Sequence, residues 1–165
     1  MAFVIRDDVK VYFEDHGTGP AILLSHGFSQ SSTMWREQIA DLQDRYRVIT
    51  WDMRGHGQSD YPEDPAAYTD AESVADMAAI LDACGERKAV IGGLSLGGCA
   101  SLLFHLKYPE RTAGLMLFDT GPGFRKDAAR DAWNDVAHKR AASFDKVGLD
   151  GLGDGPAAKI AGHRD

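Results

Sequence analysis

The segment Gly93-Leu94-Ser95-Leu96-Gly97 constrains this chain more than any other. It follows the apolar run Ala89-Val90-Ile91-Gly92 and opens a stretch that reads as helix from Ser95 to Lys107, stopped before Pro109. A serine between an ending strand and a starting helix sits on a sharp turn. That turn lifts its Oγ clear of the sheet and sets free helical N–H groups beside it. The turn also crowds the positions two before and two after the serine, so both must be small. Gly93 and Gly97 meet that demand, and Gly98 lets the helix approach the sheet closely. A hydroxyl is a poor nucleophile unless it is exposed, oriented and beside a base. Ser95 is therefore the candidate nucleophile. A tight turn with no chemistry would explain the glycines, but not the strand before them and the helix after.

The rest of the chain alternates strands with helices. Short strands are expected near Phe3-Ile5 and over Lys10-Glu14, then a turn over His16-Pro20. Ala21-Ile22-Leu23-Leu24 is a continuous apolar run, as a strand buried on both faces requires. Trp35, Ile39 and Leu42 recur at helical spacing with Ser32 or Thr33 placed to cap, and Val48-Trp51 is the next strand. Thr69 and Glu72 fit a capping box for a helix carrying Val74, Met77 and Leu81 on one side and ended by Gly85. Gly114-Phe118 is the last legible strand, and Lys126 to about Phe144 reads as an Ala- and Asp-rich helix. The expected fold class is α/β: a mostly parallel sheet flanked by helices.

Two loops stand out beside the serine turn. His26-Gly27-Phe28 follows the buried strand, and acyl transfer develops a negative oxygen that needs two pre-aimed donors. The N–H of Leu96, directly after the nucleophile, is one; Phe28 N–H is the candidate for the other. His26 precedes the serine and reads as an imidazole that organises its loop through backbone hydrogen bonds. Asp52-Met53-Arg54-Gly55-His56-Gly57-Gln58-Ser59-Asp60 is dense in charge and glycine, but its spacing fits no standard metal site and no Lys-Ser/Thr follows the glycines. A folded loop held by an Asp–Arg pair and backbone hydrogen bonds is the expectation.

Taken in order, His26-Gly27-Phe28, Asp52 to Asp60 and Gly93 to Gly98 resemble the α/β-hydrolase fold superfamily, serine-nucleophile branch, over residues 1 to 125. Gly114 to Phe124 looks like its next strand and the entry to its cap. The resemblance implies an eight-stranded core, of which about six strands are present in 1–125, and the start of a helical cap in 126–165. It implies a serine hydrolase that cleaves a small ester, lactone or related carbonyl substrate through an acyl-enzyme. Esterases, lactonases, C–C bond hydrolases and cofactor-free haloperoxidase-like enzymes fit; epoxide hydrolases and haloalkane dehalogenases resemble the loop pattern but use aspartate where this chain has Ser95. No cofactor and no metal are implied. His26, Trp35 and Phe124 are candidate substrate-wall residues.

The family's order is serine, acid, histidine. Asp119, ending a strand, is the candidate acid, against a loop-capping role. His105 lies along the helix after the serine, His138 in the cap helix and His163 in a polar tail, so the base and most of the acid's context are expected beyond residue 165. Truncation is the simplest expectation, and it would leave Leu115 to Phe118 as an edge open to self-association. The rival reading is a catalytically silent binding protein that keeps the fold.

Charge and composition narrow the partners. A net charge of −7 with no basic block argues against nucleic acid, and no apolar run is long enough for a bilayer. Charge early in Met1–Asp8 argues against a signal peptide, and Cys84 and Cys99 read as free thiols, so a cytoplasmic setting is expected. A small-molecule substrate remains.

Overall fold

The computed structural model describes residues 2–121 and 123–148. The chain divides into two compact units, Met1–Gly121 and Pro122–Asp165, rather than after residue 125.

The first unit is built on six strands: β1 (Ala2–Arg6), β2 (Val9–His16), β3 (Ala21–Ser25), β4 (Arg47–Trp51), β5 (Ala89–Leu94) and β6 (Thr112–Phe118). Their order across the sheet is β1-β2-β4-β3-β5-β6. β1 and β2 pair antiparallel, as do β2 and β4, whereas β4, β3, β5 and β6 run parallel. The expected class holds.

Helices cover both faces of the sheet. Alternate residues of one strand point to opposite sides, and β3 shows the consequence. Ala21 and Leu23 join α2 (Asp70–Ala83) and α3 (Leu96–Lys107) in one core with Ile49, Trp51, Met77, Leu81 and Phe104. Ile22 and Leu24 face the other way, into a smaller core with Trp35, Ile39 and Val48 on the side of α1 (Arg36–Leu42). A strand between two cores needs an unbroken apolar run, and Ala21–Leu24 is one.

Two caps differ from expectation. A 3-10 turn over Ser32–Trp35 precedes α1, and its N-cap Ser31 makes no side-chain capping bond. The Ser32 N–H is taken instead by Asp52 Oδ1 at 2.6 Å, a partner 20 residues away. At α2, Thr69 Oγ1 accepts the Glu72 N–H at 3.3 Å, but the Glu72 carboxylate pairs with Arg6 rather than reaching back to the cap. Both cases obey one rule: a carboxylate takes the partner the fold delivers rather than one its own turn offers.

Among the described residues β6 has a sheet neighbour on one side only, and Leu115, Leu117 and Phe118 are exposed. In the second unit, α4 (Asp127–Val147) is a helix with no buried residue, started by an Asp127–Arg130 pair at 2.9 Å.

Candidate active site

Chain order sends β3 to β4 on one side and then returns to place β5 on the other. The carboxyl ends of β3 and β5 therefore diverge, and a crevice opens where the loops leave in opposite directions, the usual place for a ligand in an open α/β sheet. Ser95 follows β5 there, and the His26–Gln30 loop follows β3.

Ser95 sits at φ 50° and ψ −111°, in backbone space that residues with a side chain rarely enter. Its side chain is exposed and, among the described residues, its hydroxyl has no hydrogen-bond partner. The surroundings hold the bend from every side. Ser95 N–H donates to Phe118 O at 2.9 Å, and the Ser95 carbonyl accepts from Cys99 N–H at 3.0 Å and from Thr120 Oγ1 at 2.7 Å. A Cβ on Gly93 would lie 2.5 Å from Gly97 O and 2.8 Å from Gly98 N. One on Gly97 would lie 2.6 Å from His26 O and closer still to Ser25 O. No Cβ fits at either place, so the glycine spacing is a steric requirement of the bend. The same closeness brings the start of α3 against the exit of β3.

That contact puts two backbone donors on one crevice. Leu96 is the first residue of α3, where an N–H has no intrahelical acceptor. Phe28 is the second residue of a turn closed by Gln30 N–H to Gly27 O at 3.2 Å, with Ser29 left-handed at φ 62°. Among the described residues no acceptor takes the N–H of either Phe28 or Leu96.

His26 lies behind this turn, fully buried. Its Nδ1 is 2.7 Å from Gly27 O, and its Nε2 is 3.0 Å from Met53 N. A carbonyl only accepts and a backbone N–H only donates, so Nδ1 carries the proton and Nε2 is bare. Burial drives its pKa down to about 4, with His56 nearby adding to the effect and the Gly27 bond opposing it. His26 is thus a neutral loop organiser, and with 0% exposure it forms no substrate wall. His56, half-buried, rests its ring 4.9 Å from that of His26 and edge-on to Phe28 at 5.9 Å. Burial lowers its pKa too.

The loop after β4 is folded as expected, around different partners. The Asp52 carboxylate, 1% exposed, accepts Ser32 N–H through Oδ1 and Gln58 N–H at 2.8 Å through Oδ2. Arg54 finds its carboxylate on α2: Nε and Nη2 grip Asp76 at 2.7 and 2.8 Å, and Arg6 Nε adds a third bond at 2.7 Å. Asp76 is fully buried. Its signal in the sequence was an acidic residue inside a helix stripe that includes Val74, Met77 and Ile80.

The remaining candidates separate. Asp119 directly follows Phe118, whose register partner is Leu94, so it stands across the parallel pair from Ser95; it is exposed, with φ 43°. Trp35 is 6% exposed, its ring 5.9 Å from that of Phe118, so it belongs to the smaller core and not to a wall. Phe124 belongs to the second unit, where its ring lies 6.2 Å from that of Trp133. His16 pairs with Val48 near the start of β4, at the opposite end of the sheet from Ser95. His105 is ten residues along α3, about 15 Å up its axis at 1.5 Å per residue. His138 lies on α4 of the second unit, and His163 falls outside the described residues. Thr120, which sequence reasoning passed over, is a clamp on the elbow. Among the described residues no His, Cys, Asp and Glu side chains gather as a metal-holding group, and no helix is long and apolar enough to cross a membrane.

Comparison with known proteins bears out the fold. A family model described as alpha/beta hydrolase fold matches residues 20–157. Epoxide hydrolase 3 of Siraitia grosvenorii is 36% identical over 109 residues, 66% of this chain and 34% of the relative. The 3-oxoadipate enol-lactonase 1 of Acinetobacter baylyi is 35% identical over 130 residues, 79% of this chain and 45% of the relative. Among solved structures, Est816, described as an N-acyl homoserine lactone degrading enzyme, superimposes with a TM-score of 0.76 at 30% identity, over 92% of this chain and 55% of that one. The chain spans less than half the length of the curated relatives it matches.

Proposed function

The chain belongs to the α/β-hydrolase fold family, and from that premise we propose that it carries the nucleophile and oxyanion site of a serine hydrolase acting on a small ester or lactone. Ser95 Oγ attacks the substrate carbonyl, and the N–H groups of Phe28 and Leu96 bind the oxyanion as the carbonyl becomes tetrahedral. The alcohol then leaves as the acyl-enzyme forms, and water releases the acid. The observation that carries this reading is the exposed hydroxyl on a strained bend, beside two N–H groups that no described residue occupies. The start of α3 adds its positive end to the same spot.

A lactone or simple ester is favoured because an enol-lactonase and a lactone-degrading enzyme are among the relatives. Likeness to an epoxide hydrolase supports the scaffold, but a serine oxygen would give an ether rather than a hydrolysable ester on opening an epoxide. The base must reach Ser95 Oγ. Both nitrogens of His26 are committed and His16 is at the far end of the sheet, so we assign the base to residues outside those described. Asp119 stays the acid candidate within them.

That the described residues place no assigned base on Ser95 also favours a second reading, a silent binding protein. Fluorophosphonate labelling with added imidazole as an external base separates the two. Slow covalent labelling at Ser95, accelerated by imidazole and absent in Ser95→Ala, supports the hydrolase. A chain that stays unlabelled at every imidazole concentration is the binding protein.

A further inference from the structure

We propose that His26 is a positioning residue for the oxyanion site: its Nδ1–H fixes the Gly27 carbonyl and so aims the Phe28 N–H, which belongs to the same peptide unit. The inference rests on the reading of Phe28 as an oxyanion donor. A trans peptide is planar, with its C=O and N–H pointing in opposite directions. Whatever holds the Gly27 oxygen therefore sets where the Phe28 hydrogen points. Two donors converge on that oxygen, His26 Nδ1 at 2.7 Å and Gln30 N–H at 3.2 Å. The shorter bond is the imidazole's.

The ring is itself held. Met53 N–H, from the loop after β4, donates to Nε2 at 3.0 Å, which leaves the proton on Nδ1. Asp52, one residue earlier, holds Ser32 N–H just past the turn. His56 lies against both the His26 ring and Phe28. A chain of contacts thus runs from the β4 loop through the imidazole to one peptide of the β3 loop. Without the imidazole the Gly27 oxygen is held by the Gln30 N–H alone, at 3.2 Å, so the Gly27–Phe28 peptide loses the shorter of its two anchors.

Two substitutions separate aiming from filling space. In His26→Asn the amide nitrogen falls where Nδ1 was, so the bond to Gly27 O is kept and that to Met53 is lost. In His26→Gln the amide group falls near Nε2, so Met53 keeps an acceptor and the Gly27 bond is lost. Imidazole-assisted fluorophosphonate labelling of Ser95 should proceed in His26→Asn within about twofold of the wild-type rate, and in His26→Gln at least about tenfold slower, since loss of an oxyanion donor costs 10²–10³. Equal rates in the two variants overturn the positioning role while leaving the hydrolase reading intact. Nitrogen-15 NMR at neutral pH decides the matter even if the wild-type chain does not label. His26 should show a protonated Nδ1 and a bare Nε2, and the Phe28 amide resonance should move in His26→Gln but not in His26→Asn. The opposite tautomer, or a Phe28 amide indifferent to both changes, refutes it.

Discussion

Replacing Ser95 by glycine and, separately, by alanine measures the strain stored at the elbow. Both remove the exposed hydroxyl, which no described residue bonds, so the loss of the oxygen cancels between them. They differ in one respect: alanine keeps a Cβ at φ 50° and ψ −111°, and glycine does not. Holding a residue with a side chain in such a region costs about 1–3 kcal/mol. Glycine gives back about 0.5–1 kcal/mol through the greater freedom of the unfolded chain. At mid-range values the net expectation is that Ser95→Gly is more stable than Ser95→Ala by about 1 kcal/mol. Urea unfolding followed by tryptophan fluorescence reads this directly, because Trp35 and Trp51 are both buried in the first unit. Equal m-values in the two variants confine the difference to the native bend. A Ser95→Gly chain no more stable than Ser95→Ala would mean that the bend is relaxed, and the argument from an exposed, over-determined nucleophile would fail with it.

Four other outcomes follow from contacts elsewhere in the fold. Gly97→Ala should cost about 3 kcal/mol and abolish labelling at Ser95, because the new methyl meets the backbone oxygens of Ser25 and His26, which cannot move aside. Gly85→Ala, at a positive φ of 71° but with open space around it, should cost only about 1–2 kcal/mol and leave labelling unchanged. Asp76→Ala should destabilise by about 3–5 kcal/mol in urea unfolding, since it strands the 6%-exposed Arg54, whereas Arg6→Ala, at a part-exposed position, should cost far less. Acid should weaken the fold through His26. Its folded pKa of about 4 lies below the unfolded value of 6.5, so its contribution is complete above pH 6.5 and is lost as pH falls towards 4. Between pH 7.5 and 5 the loss should be about 2 kcal/mol, allowing for Asp52 and His56 as the charged neighbours, and it should disappear in His26→Asn.

The succession of strands and helices along the chain, the covered sheet and the elbow were all legible in the chain itself. The rules that fix them act within a few residues: alternation along a strand, a continuous apolar run where both faces are covered, glycine where a Cβ would strike the next turn of backbone. Gly93, whose Cβ would strike Gly97, and the run Ala21–Leu24 obey those rules in isolation, so they could be read without knowing their distant neighbours. Partners separated by 20 residues or more were a different matter. Arg54 takes Asp76 and not an acid of its own loop, Ser32 is capped by Asp52, and Thr120 clamps Ser95. Trp35 turned inward because β3, β4 and β6 meet around it, and Phe118 of β6 lies 83 residues further along the chain. Which nitrogen of His26 bears the proton was likewise open until β3 and β4 lay side by side. Hydrogen bonds and ion pairs form between whatever groups the strand order delivers, and that order is a property of the whole sheet.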